Sequence, residues 1–248
     1  MRRLGLIGGT GLDHWGKAVG LHPVSTAYGE PSADLAEYRV GDVQLFFLPR
    51  HGEQHQIPPH AVNYQANIDA FRQLQVEGIM TVNAVGGITD SYGPGVLAVP
   101  DQLIDYTWGR AHTFSMTAND SLLHADFTDP FEGNVRSGLL KAAKKAGAGV
   151  IDTGCIGVTQ GPRLETAAEV RRLMRDGCDM VGMTSMPEAA LAREAGLDYA
   201  CLCISANWAA GLNEEPLTME AIEATLADAM VMVRKLLDTL FEEFSNVS

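Results

Sequence analysis

Two short segments concentrate the groups that could hold an anion. Residues 5–12, GLIGGTGL, set four glycines and one hydroxyl, Thr10, directly after an apolar run. A turn of this kind can point several backbone N–H groups at one ligand. Residues 49–64, PRHGEQHQIPPHAVNY, gather Arg50, His51, His55 and His60 in one loop. An arginine fork beside a histidine, on a glycine hinge, suits phosphate or another tetrahedral oxyanion. A solvated surface loop is the plainer reading. Metal ligation by the histidines is disfavoured, because no carboxylate or cysteine stands at a helical ligand spacing to complete a set. The glycines fit neither common nucleotide motif. GxGxxG would need glycine where His14 stands, and Gly11, Gly16 and Lys17 match GxxxxGK only until Ala18 replaces the magnesium-holding hydroxyl.

The rest of the chain argues against large anionic partners. Eighteen basic residues face 31 acidic ones, a formal charge of −13, so the average surface repels nucleic acid and anionic lipid. An anionic ligand therefore needs a local pocket set against the global field. The 248 residues are 46% apolar, enough to bury a sizeable core. Cys155, Cys178, Cys201 and Cys203 lack paired CxxC spacing and are expected to be reduced, mostly buried thiols. The first residues carry two arginines, but glycines and Asp13 interrupt the apolar stretch, so no signal peptide is expected. No apolar run approaches the ~20 residues that span a bilayer. The expectation is a soluble cytoplasmic protein.

The elements that must position these residues follow from periodicity. Short apolar runs at 4–7, 43–48, 79–85, 99–104, 150–159, 180–183 and 199–205 predict strands. Helical spacing at 63–74, 135–146, 167–175 and 186–194 predicts helices between them. A long amphipathic helix is expected from Thr218, its N-cap, through Ile222, Leu226, Met230, Val233, Leu237 and Leu240. The alternation predicts one α/β domain over 1–248 with a central buried sheet. Irregular stretches at 24–35, 108–134 and 209–217 predict loops, and long loops in a compact domain tend to serve a site.

Four motifs in order, GGTGL, RHG followed by NYxAN, GPRxET and GMTSMPEA, resemble the trimeric purine nucleoside phosphorylases, in particular the methylthioadenosine phosphorylase branch, across residues 4–244. The resemblance implies a central mixed β-sheet flanked by helices, a homotrimer, and reversible cleavage of a purine nucleoside by inorganic phosphate without metal or organic cofactor. By the same resemblance Thr10, Arg50, His51, Ala84 and Thr184 hold phosphate, together with Asn83, which stands where that branch usually has threonine. Met183 packs against the ribose. His124, in LHADFTDPF, matches a residue lent to the neighbouring subunit's pocket.

Departures from that branch concern the purine. Glu165 replaces its serine and resembles the glutamate of inosine- and guanosine-cleaving relatives, Asn207 replaces an aspartate of the adenine readers, and Ala209 replaces a second. Leu164 and Trp208 flank these positions and are placed at the substrate. Hypoxanthine carries a proton on N1 and a carbonyl at C6, whereas adenine presents a bare N1 acceptor and an amino donor. A carboxylate at Glu165 accepts from N1–H of hypoxanthine, and the Asn207 amide can donate to N7 or O6. Enclosed donor and acceptor sets of this kind discriminate by roughly 10⁴. Taken alone, Glu165 could equally be a carboxylate favoured by a helix N-terminus, and Asn207 a loop amide. Met219, where inosine-cleaving relatives have histidine for the 5′-hydroxyl, is apolar and suits a 5′-methylthio group, or is the first core residue of its helix. The expected reaction is 5′-methylthioinosine plus phosphate giving hypoxanthine and 5-methylthioribose 1-phosphate, with Asn207 and His51 at the reacting centre. The alternatives are cleavage of methylthioadenosine and general 6-oxopurine nucleoside phosphorolysis.

Overall fold

In the computed structural model, which describes residues 2–115, 117, 122–213 and 218–246, the strands in chain order are β1 (Arg2–Gly8), β2 (Gly20–His22), β3 (Leu35–Val40), β4 (Val43–Pro49), β5 (Gly78–Gly87), β6 (Leu97–Ala98), β7 (Gln102–Asp105), β8 (Val150–Ile151), β9 (Cys155–Val158), β10 (Met180–Gly182) and β11 (Asp198–Trp208). The helices are α1 (Tyr64–Gln73), α2 (Asn134–Ala146), α3 (Ala167–Arg175), α4 (Ser185–Glu194) and α5 (Met219–Asn246). The expected loops at 108–134 and 209–217 lie partly outside the described residues, at 116, 118–121 and 214–217.

The strands form one mixed sheet. β4, β1, β5 and β11 run parallel, and their buried cores read as largely apolar runs because both faces are covered, with Thr81 and Asn83 of β5 the buried polar exceptions at the site. β2 and β3 extend the β4 edge antiparallel. On one face α5 and α2 bury Ile222, Leu226, Val233, Leu237 and Leu139 against the sheet. On the other, α1 and α4 bury Ile68, Phe71, Ala189 and Leu191. The helices start where short polar side chains satisfy their first N–H groups: Asn63 accepts from Ala66, Thr166 and Glu169 form a reciprocal box, and Thr218 accepts from Ala221 at 3.3 Å. α2 lacks a cap of its own, and Asp198 of β11 accepts from Val135 N–H at 3.0 Å instead.

The sheet departs from the sequence expectation at four places. The run at 99–104 is not one strand: β6 ends before it and β7 begins inside it, with Pro100, which has no N–H for a ladder, between them, and Arg136 donates to the carbonyls of Val99, Pro100 and Asp152 across the gap. The run at 150–159 breaks beside it into β8 and β9, where Gly154 takes φ +121° and its N–H donates to Asp101. β2 and β3 are strands that periodicity did not predict, and β11 runs on to Trp208 through a bulge between Ser205 and Asn207.

Leu237 is fully buried, whereas Asp228 on the same helix is exposed. Leu237→Ala is expected to cost about 2–5 kcal/mol in chemical denaturation. Asp228→Asn should stay within about 0.5 kcal/mol, and equal losses at both positions would contradict this packing.

Candidate active site

β1, β4 and β5 end at one edge of the sheet, and Gly8 registers with both Pro49 and Val82. The glycine turn after β1 and the basic loop after β4 therefore meet at the C-terminal ends of parallel strands, the usual ligand crevice of an open α/β sheet. Arg50 N–H donates to the Gly8 carbonyl at 2.9 Å. The approach admits only glycine: a Cβ on Gly9 would lie 2.5 Å from the Val82 carbonyl oxygen and 2.8 Å from Arg50 Nη1. β1 pairs with β5 only as far as Val82, and β10 takes the same edge from Gly86. Between them, residues 83–85 form an edge without a neighbouring strand, and Ala84 and Val85 line a cavity of about 400 Å³.

Arg50 is 1% exposed, and its partner Glu188 on α4 is completely buried. Nε donates to Glu188 Oε1 at 2.7 Å and Nη2 to Oε2 at 2.9 Å. Nη2 also donates to Asn83 Oδ1 at 2.8 Å and to the Thr81 hydroxyl, while Tyr199 O–H donates to Glu188 Oε2 at 2.8 Å. Burial works against the Arg50 charge, but the Glu188 carboxylate more than offsets it and raises the pKa. These bonds leave Nη1, beside Gly9, as the guanidinium edge available to the cavity.

His51 lines the same cavity, and its Nδ1 lies 2.8 Å from the Ile57 carbonyl oxygen. A carbonyl only accepts, so Nδ1 carries the hydrogen and Nε2 is left as an acceptor. Burial and then the Arg50 charge push the His51 pKa down to about 4, against the opposing pull of Ile57. Thr10 Oγ1 lies 3.5 Å from His55 Nε2, and His55 Nδ1 lies 3.6 Å from Asp13. Thr184, which precedes α4, borders this cavity as well.

The same cavity is lined by Glu165, Leu164, Asn207, Ala209, Met183, Met219 and Ile222. Glu165 immediately precedes the Thr166 cap of α3 and accepts from Thr159 Oγ1 at 2.6 Å. The bulge in β11 brings Asn207 to the cavity. Its Nδ2 donates to the Trp208 carbonyl at 2.7 Å, and the second amide hydrogen remains. Met219 is 59% exposed, which rules out a core role at the start of α5.

Three expected site residues lie off this cavity. The Asn83 amide is fully engaged, accepting from Arg50 and Thr81 and donating to Ser185 and Cys201, so it braces Arg50 from behind. The Trp208 ring packs over Gly93. His124 is exposed and borders none of the cavity. Two positioning residues carried no signal that periodicity or composition could detect. Glu188 lies within GMTSMPEA but gains meaning only from Arg50. Arg110 donates to the carbonyls of Gln160 (2.8 Å), Met183 (2.8 Å) and Met186 (2.5 Å), tying the two cavity loops together through backbone partners that leave no trace in side-chain patterns. Among the described residues no group of three His, Cys, Asp or Glu side chains is arranged to hold a metal ion, and no helix is long and apolar enough to cross a membrane. All four cysteines are free thiols, three of them buried.

Residues 3–242 match the model of the phosphorylase superfamily, and the chain belongs to that family. It is 52% identical over 229 residues to a probable S-methyl-5′-thioinosine phosphorylase of Xanthomonas campestris pv. campestris, covering 92% of this chain and 89% of that one. It is 41% identical to the 6-oxopurine nucleoside phosphorylase of Pyrococcus furiosus, over 88% of this chain and 84% of that one. Among solved structures, methylthioadenosine phosphorylase of Schistosoma mansoni in complex with adenine superposes with a TM-score of 0.94 at 34% identity, covering 100% of this chain and 93% of that one.

Removing Glu188 strands a buried guanidinium, so Glu188→Ala is expected to destabilise the protein by about 3–5 kcal/mol in equilibrium unfolding. A loss below about 1 kcal/mol would show that the pair is not what holds Arg50. For His51, NMR titration of the ring should find the Nδ1–H tautomer and a midpoint near 4. Because the folded value lies below the ordinary 6.5, the unfolded chain binds more protons between the two. The His51 contribution to stability is therefore complete above pH 6.5 and lost as pH falls toward 4. A midpoint at the ordinary value would refute the burial argument.

Proposed function

We propose that this chain, as a single phosphorylase domain, cleaves S-methyl-5′-thioinosine with inorganic phosphate, giving hypoxanthine and 5-methylthioribose 1-phosphate. The observation that carries the reading is that one cavity is lined by a carboxylate, Glu165, an amide, Asn207, and a thioether, Met219, together with Arg50, His51, Thr10 and Thr184. Glu165 accepts from N1–H of hypoxanthine, where adenine would offer only a lone pair. Met219 packs a methylthio group and leaves a 5′-hydroxyl without a partner.

Phosphate lies among Thr10, Arg50 Nη1, His51, the Ala84 backbone and Thr184, below C1′. As the C1′–N9 bond breaks, its electron pair moves onto the purine, and Asn207 donates to the charge gathering near N7 and O6. A phosphate oxygen forms the new bond to C1′ of the oxocarbenium-like sugar, whose ribose rests on Met183. With Nδ1–H held by Ile57, His51 accepts from a protonated phosphate oxygen through Nε2. No metal or organic cofactor enters this scheme, and phosphate is a co-substrate. The same reading makes the enzyme a cytoplasmic homotrimer in purine salvage, with His124 reaching a neighbouring subunit's cavity.

The test is purine release from methylthioinosine, methylthioadenosine and inosine, each with and without phosphate. Phosphate-dependent release mainly from methylthioinosine is expected. Preference for methylthioadenosine would overturn the roles of Glu165 and Asn207, and preference for inosine that of Met219.

A further inference from the structure

The hydroxyl of Thr159 controls how much of Glu165 a base can use. Oγ1 lies 2.6 Å from Glu165 Oε1 and 3.4 Å from the Gly182 carbonyl oxygen. A hydroxyl has one hydrogen to give, and the shorter bond to a carboxylate takes it. The backbone at Thr159 is held in place by its own N–H, which donates to Gly182 at 2.9 Å. It lies outside the 400 Å³ cavity, on an adjoining cleft of about 460 Å³ that shares Glu165 with it. One carboxylate oxygen is thus turned toward the cleft with a lone pair engaged, and Oε2 is the less encumbered oxygen for a ligand.

We propose that Thr159 is a specificity residue that narrows the site to a 6-oxopurine with a single donor on its N1 edge, hypoxanthine, and excludes the 2-amino counterpart, guanine. The proposal rests on the reading of Glu165 as the base acceptor. Hypoxanthine needs one acceptor, for N1–H. Guanine presents N1–H and an adjacent 2-amino N–H side by side, a pair that matches both oxygens of a carboxylate. With one lone pair of Oε1 held by Thr159, the 2-amino hydrogen must share an acceptor whose charge and direction are already drawn toward the threonine, and a weakly paired buried donor is penalised.

The experiment compares kcat/KM for methylthioinosine and methylthioguanosine at saturating phosphate in the wild type, T159V and T159S. The wild type should favour methylthioinosine by about tenfold or more, in line with one charge-assisted hydrogen bond. T159V, which keeps the shape and removes the hydroxyl, should narrow that ratio about tenfold, and T159S should preserve it. Equal use of both nucleosides by the wild type, or a parallel fall for both in T159V, would overturn the proposal and leave Thr159 a merely structural residue. If the wild type releases no hypoxanthine from methylthioinosine, the reading of Glu165 fails first and this inference goes with it, an outcome distinct from cleavage without base discrimination.

Discussion

A guanidinium sealed from water at the floor of the cavity sets the terms for everything around it. Arg50 can be buried as a cation because Glu188 faces it with both oxygens, Thr81 and Asn83 accept from Nη2, and Tyr199 donates to the Glu188 carboxylate. The pair joins β4 to α4, two elements separated by more than a hundred residues, and fixes where the first turn of α4, with Thr184 before it, meets the basic loop. A lysine could not replace Arg50 here, since one ammonium cannot fill a planar, bidentate site and also leave an edge to the cavity.

The same pairing sets the charge of the cavity in this acidic chain. Glu188 balances the Arg50 charge and His51 is held neutral, so an anion in the cavity meets directional donors in preference to a net positive field. The guanidinium edge beside Gly9, the hydroxyls of Thr10 and Thr184 and the unpaired edge of β5 are fixed before a ligand arrives. Donors arranged in advance lose little to reorganisation, and in a site shielded from water each is worth more than it would be on the surface.

The sheet makes room for this arrangement by changing partners along one strand. β5 is paired along its whole length with β11 but exchanges β1 for β10 on the opposite edge, which opens residues 83–85 to the cavity. The bulge in β11 then brings Asn207 to the same space, and Gly86 beneath it has no side chain to obstruct the approach. Arg110 holds the loops of Gln160 and Met183 at a constant separation, so the groups lining the cavity are spaced by the fold rather than by a ligand.

What the sequence by itself determined is local chemistry and period. The glycine turn after β1, the Arg50–His51 loop, the helices near 63–74 and 167–175 and the start of the last one at Thr218, and the apolar parallel strands were legible because each depends on neighbours within a few residues. The Glu165 and Asn207 departures were legible as chemistry too, since a carboxylate and an amide have fixed donor and acceptor identities wherever they stand. Only the tertiary structure decided which atoms of those groups remain available. The Asn83 amide faces Arg50 and is consumed behind the cavity, Trp208 turns its ring onto Gly93, and Thr159 engages one oxygen of Glu165. The breaks at Pro100 and Gly154 likewise needed Arg136 and Asp101 from distant segments to satisfy the freed backbone. Hydrogen bonds saturate: each donor and acceptor has few places, and which partner fills them is settled by segments that meet only when the chain has folded.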